Sequence, residues 1–231
     1  YRMRGAVEAF SRALALDSTT AEGWYQFGQV LMALGQDDRA TAAYRRAFAL
    51  DPNRPMALMS LSAIALKSGR VAEATRLIDS AVAASRTVSS PYVRVVRGRI
   101  KLNEGDVRAA RDDAELALAM DTNYTIPARS LLASVLWAEG DTVAAAGEIA
   151  RLLQILGSGN LSPTSVRFVA SALLTQGRRQ EAVALIERAR PRGAVLWFYL
   201  QSAEFRSLRS DARFRRVFEE ADPKLSADSV H

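Results

Sequence analysis

Cysteine is absent from the 231-residue chain. Disulfides, thiol nucleophiles and thiolate metal sites are therefore excluded, and the redox compartment stays open. Histidine occurs once, at His231, whereas zinc sites and Ser–His–Asp or Cys–His relays need imidazole held inside a fold. Adjacent acids stand at Asp37/Asp38, Asp112/Asp113 and Glu219/Glu220. Neighbours on a helix point ~100° apart, so these pairs do not converge on one substrate and read as helix-start charge and solubility. No apolar run approaches the ~20 residues of a transmembrane helix, and no basic-then-apolar leader opens the chain. Glycine and proline, 13 and 7 residues, are too scarce for a disordered or collagen-like chain. No catalytic residue, metal site or cofactor is expected, and the expected setting is soluble and cytoplasmic rather than periplasmic.

What is present is apolar and small. Hydrophobic residues make up 49% of the chain and aromatics only 7%; the abundant alanine favours closely packed helices over strands. The length suits one large domain or two small ones. The net charge of +6 favours acidic partners and is unevenly placed. Between Arg178 and Arg216 there are ten arginines against Glu181, Glu187, Glu204 and Asp211. This segment reads as a solvated helix surface; the alternative is contact with nucleic acid or anionic membrane.

The chain repeats itself. Gly35, Gly69, Gly105, Gly140 and Gly177 are 34, 36, 35 and 37 residues apart, a period characteristic of stacked supersecondary units. Five residues after each stands an alanine: Ala40, Ala74, Ala110, Ala145 and Ala182. Seven before each stands a small or slim residue: Gly28, Ser62, Gly98, Ala133 and Ala170. A glycine free to take positive φ ends one helix, and Asp106 and Asp141 are placed to cap the next. Each period thus predicts helix, tight turn, helix, with the small columns letting the two backbones approach. Larger apolar residues at spacings of three and four, such as Trp24, Phe27, Leu31, Tyr44 and Phe48, fill the spaces between hairpins.

With Trp24, Phe27, Gly28, Leu31, Gly35, Ala40, Tyr44, Ala47 and Pro52 in place, residues 21–54 resemble a tetratricopeptide repeat (TPR). The resemblance implies an all-α, right-handed α-solenoid of helix-turn-helix hairpins and a protein or peptide partner. Five repeats are expected, at 21–54, 55–88, 91–124, 126–159 and 163–196. A partial repeat over 1–20 holds only a second helix, "GAVEAFSRALALDS", which predicts an excised or processed piece of a longer protein. Repeat three departs from the pattern with Arg94 and Arg97 at apolar positions, and repeat four with Leu152 in place of alanine. The stretch "GSGNLSP" lacks the lysine and Ser/Thr of a phosphate loop and reads as a connector.

Residues 197–231 leave the period and are expected to form a cap over the apolar flank of the last repeat. A short buried helix around Leu196, Phe198, Tyr199 and Leu200 would precede an arginine-rich helix starting near Ser210, with Phe214 and Phe218 on one face. "LRSDARF" is similar to segments closing TPR arrays in bacterial multidomain signalling proteins.

The resemblance further implies a groove lined by the first helix of each repeat. Its candidate contacts are Tyr25, Gln26, Gln29, Met59, Ala63, Lys67, Arg99, Asn103, Leu131, Ser134, Trp137, Arg167 and Phe168, mixing aromatic anchors with amides and arginines. Such a set suits a peptide whose apolar side chains enter pockets. Positions used by some TPR domains to clamp a C-terminal carboxylate hold Tyr25, Gln29, Ser60, Tyr92 and Val96, so that clamp is missing. The expected role is a non-catalytic interaction scaffold, as a module of a larger bacterial protein; the alternative is the basic C-terminal surface acting on nucleic acid or anionic membrane.

Overall fold

A computed structural model describes residues 2–84, 90–120, 125–157, 161–189, 196 and 200–221. Among these, no strand occurs. In chain order the helices are α1 (Arg2–Leu16), α2 (Ala21–Ala33), α3 (Asp37–Leu50), α4 (Pro55–Lys67), α5 (Val71–Ala84), α6 (Pro91–Asn103) and α7 (Val107–Met120). They continue as α8 (Thr125–Ala138), α9 (Thr142–Gly157), α10 (Pro163–Thr175) and α11 (Arg179–Arg188), then a 3₁₀ segment (Ala203–Ser210) and α12 (Ala212–Glu220).

The five periodic glycines all take positive φ, between 70° and 88°, and close one recurring geometry. At Gly35 the amide donates to Met32 O at 3.0 Å and the next amide, Gln36 N, to Leu31 O at 2.9 Å. This paired 5→2 and 6→1 pattern satisfies carbonyls that the ending helix would leave bare. Arg70, Asp106, Asp141 and Arg178 make the same long return to Ala65, Lys101, Leu136 and Leu173. The two predicted caps form: Asp106 Oδ1 accepts from Ala109 N at 3.1 Å and Asp141 Oδ1 from Ala144 N at 3.0 Å.

The chain packs as two compact units, residues 1–97 and 98–231, the division falling within α6. In the first, α2 packs on α3 and α4 on α5, with α1 against α2 and α3 against α4. Ala40, Ala47, Ala74, Ala81, Leu31, Tyr44 and Ile78 are sealed from solvent. The small columns meet as expected at the second hairpin, where Ser62 Oγ donates to Ala74 O at 2.8 Å across the two helices. In the opening hairpin, by contrast, the space beside Gly28 is taken by a side chain. A Cβ there would lie 2.7 Å from the Tyr44 ring, so the aromatic packs directly on the glycine. Arg97, at an apolar position of the repeat, reaches Asp79 Oδ1 at 3.8 Å.

In the second unit α8 packs against α7, α9 and α10, and α10 against α11. The first helices α8 and α10 therefore lie side by side. Gly98 sits so close to α7 and α8 that a Cβ would meet Leu131 Cδ2 at 2.5 Å and Ala110 O at 3.3 Å. Leu152, the departure from alanine, is fully buried. The end of "GSGNLSP" connects α9 to α10 and caps the latter, Ser162 Oγ accepting from Ser165 N at 3.1 Å; residues 158–160 lie outside the described residues.

Phe198 and Tyr199 also lie outside the described residues, but their neighbours show how the tail is held. Leu196, Leu200, Phe205, Leu208, Phe214 and Val217 join Leu173, Val183 and Ile186 in one apolar cluster. The arginine-rich helix begins two residues later than expected, at Ala212, because Asp211 caps it by accepting from Arg213 N and Phe214 N. Phe214 and Phe218 stack with ring centres 5.9 Å apart on one face of it.

Candidate functional site

On the first unit, the predicted contact residues are tied into the wall that carries them. Tyr25 is buried and its hydroxyl accepts from Gln29 Nε2 at 2.6 Å, while the Arg54 guanidinium lies 5.7 Å over its ring. Burial, outweighing that hydrogen bond, pushes the Tyr25 phenol up, so it stays neutral. Gln26 donates to Glu22 at 2.6 Å, which holds that carboxyl below its usual range. Lys67 pairs with Asp37 at 2.7 Å. Met59 is half-buried and Ala63 exposed.

On the second unit the predicted residues divide. Leu131 and Phe168 are fully sealed and Ser134 nearly so, whereas Asn103 and Trp137 are exposed, the indole by 37%. Burial makes Leu131 and Phe168 packing residues in this arrangement. Leu131 fills the space over Gly98.

Arg99 from α6 and Arg167 from α10 converge on one carboxylate, that of Glu204 in the 3₁₀ segment. Arg99 Nη2 bonds Glu204 Oε2, and Arg167 Nε donates to Oε1 at 3.1 Å. Ser171 Oγ donates to Oε2 at 2.9 Å and accepts from Arg99 Nη2 at 2.8 Å. Both guanidiniums lie over the Phe168 ring, at 5.5 and 5.3 Å from its centre, a cation–π arrangement that orients them. The side chains of Arg99, Arg167 and Glu204 are only 18%, 23% and 18% exposed. Charge-assisted bonds of this kind are short and roughly twice as strong as neutral ones. Beside the cluster opens a cavity of about 350 Å³, lined by Arg99, Leu102, Asn103, Ser134, Ser171, Leu174, Thr175, Glu204 and Ser207.

Sequence reasoning placed Arg99, Asn103, Ser134 and Arg167 on one wall, and the structure brings them to this cavity and its cluster. Glu204 was missed. Its only signal is an acid in an arginine-rich tail, which says nothing of where it points. Among the described residues no group of three or more His, Asp or Glu could hold a metal ion, and no helix is long and apolar enough to cross a membrane.

Consecutive two-helix units closed by glycine turns define a tetratricopeptide-type repeat protein, a fold that supports a protein–protein interaction scaffold. Residues 2–153 match the family described as the Cilia and flagella-associated protein 70 middle TPR-like domain; the chain belongs to that family. Over 92 residues, 37% of this chain, it is 35% identical to cellulose synthase operon protein C of Pseudomonas fluorescens (strain SBW25), and it spans 7% of that protein's length. Among solved structures it resembles PilW, a type IV pilus biogenesis factor, with TM-score 0.60 and 17% identity over 89% of this chain and 90% of that one. It also resembles YrrB, described as a TPR protein with an unusual peptide-binding site, with TM-score 0.53 and 17% identity over 84% of this chain and 97% of that one. Pseudomonas aeruginosa PilF is similar at TM-score 0.56 and 19% identity, over 91% and 92% of the two chains. At these identities the structures speak for the fold alone.

Proposed function

We propose that the chain is a non-catalytic scaffold that holds a peptide or protein segment on the first-helix faces of its second unit, as a module of a larger bacterial protein. In this reading residues 1–196 form the array and 197–231 the cap. The observation that carries it is the cavity walled by α6, α8 and α10, where polar Asn103, Ser134 and Thr175 sit with Arg99 and with the Glu204 carboxylate that Arg99 shares with Arg167. An extended segment needs such donors and acceptors for its backbone and pockets for alternate side chains. Trp137, exposed near the end of α8 and one turn beyond Ser134, would serve such a segment as an aromatic anchor outside the cavity lining. YrrB, with its described peptide-binding site, and the Pseudomonas relative, of which the match is a small part, are consistent with this reading.

A display library of short peptides selected on the full chain tests it. Selected peptides are expected to lose about tenfold or more in affinity with Trp137→Ala or Asn103→Ala, the loss of a hot spot. Peptides indifferent to both substitutions, or no selected peptide, would sink the reading.

A second reading has the basic C-terminal surface contacting nucleic acid or anionic membrane. Arg206, Arg209, Arg215 and Arg216 are exposed, which favours it. Arg178 and Arg213, however, are paired with Glu181 and Glu187.

A further inference from the structure

We infer that Arg99, Arg167 and Ser171 form a carboxylate receptor for an acidic peptide, and that Glu204 of the chain's own tail is its resident competitor. The inference rests on the groove reading and names the chemistry of the partner.

Three donors from two helices converge on the two oxygens of one carboxylate. Ser171 also accepts from Arg99, which locks the hydroxyl proton towards the acid. The Phe168 ring attracts both guanidiniums, whose central carbons lie 5.5 and 5.3 Å from its centre. The result is a preorganised site for a planar anion, built by α6 and α10, with the anion supplied from 33 residues beyond Ser171 and 105 beyond Arg99.

The occupant is separable from what holds its segment. Phe205 and Leu208 are fully buried in the apolar cluster, so the 3₁₀ segment stays docked if the Glu204 side chain swings out. The adjoining cavity borders Arg99, Ser171 and Glu204 itself, giving an incoming glutamate or aspartate a path to two of the three donors, with Arg167 on the far oxygen of Glu204. Charge complementarity selects an acidic segment, and Asn103, Ser134 and Thr175 line the way for its backbone. Glu204, tethered and therefore present at high effective concentration, lowers the apparent affinity for that segment by the fraction of time it occupies the site.

The experiment compares the full chain with Glu204→Gln by fluorescence anisotropy at physiological ionic strength. The probes are a labelled peptide of alternating alanine and glutamate and its alanine–glutamine counterpart. Glu204→Gln is expected to bind the acidic probe about tenfold or more tightly than the parent chain. It should treat the neutral probe no differently, and should lose the gain when Arg99→Gln or Arg167→Gln is added. Equal affinity of the two chains for the acidic probe, a gain shared by the neutral probe, or preference of Glu204→Gln for an oligonucleotide over the acidic peptide would overturn the inference.

A second measurement guards against an unstable variant. Acetate should raise the melting temperature of Glu204→Ala relative to chloride at equal ionic strength by more than it raises that of the parent chain, which shows the general anion effect; equal rises count against the receptor. Library peptides that depend on Trp137 and Asn103, together with an acidic probe blind to Glu204→Gln, would remove the receptor and leave the scaffold standing.

Discussion

Two glycines illustrate opposite reasons for the same residue, and they predict different costs. Gly35 sits at φ 71° with open space where a Cβ would stand, so Gly35→Ala meets only backbone strain, about 1–2 kcal/mol. Gly98 carries no unusual φ but has Leu131 Cδ2, Asp113 Cβ and Ala110 O pressing on it. Gly98→Ala must push α7 and α8 aside, an overpacking of about 1–3 kcal/mol. Leu131→Ala added to Gly98→Ala should recover part of that loss by vacating the space, whereas no second-site trimming should rescue Gly35→Ala. Chemical denaturation of these variants decides. Ala74→Leu belongs with Gly98: Ala74 is sealed and its carbonyl receives the Ser62 hydroxyl, so overpacking of about 1–3 kcal/mol is expected. Unchanged thermal unfolding would contradict close approach at this hairpin.

At the scale of elements, the hairpins were legible because their signals are local. A glycine turn is fixed by the φ of one residue and two short-range backbone hydrogen bonds, and a helix cap by a side chain reaching a few residues on. What filled the space beside Gly28 was not legible, since either a backbone or the Tyr44 ring satisfies the same spacing. Nor was Glu204, whose partner Arg99 is 105 positions away; no periodicity connects them. The tail is the element with the clearest test. Its apolar residues share a cluster with α10 and α11, so deleting residues 204–231 should uncover Leu173, Val183 and Ile186 and drive self-association, read by light scattering. A truncated chain that stays monomeric would show that the tail is no cap. Asp211→Ala should cost about 0.5–2 kcal/mol through the lost cap of α12, loosening that helix before the repeats.

For the whole molecule, the net charge of +6 makes ionic strength the variable that separates the two functional readings. Counterion release makes log K fall with log salt at a slope of about −0.9 per phosphate neutralised. Engagement of the exposed arginines at 206, 209, 215 and 216 by a duplex would therefore lose roughly a hundredfold between about 50 and 200 mM salt. A peptide held in the α6–α8–α10 cavity meets one or two charges that are only about one-fifth exposed, and such partly buried pairs are screened much less. Its affinity should fall only a few-fold over the same range, with the remainder carried by Trp137 and by backbone hydrogen bonds that salt does not screen. Substituting Arg215 and Arg216 together by glutamine should then leave peptide affinity unmoved and halve the salt slope of any nucleic-acid binding. A steep slope for the selected peptides, abolished by those two substitutions, would place the working surface on α12 instead of in the cavity.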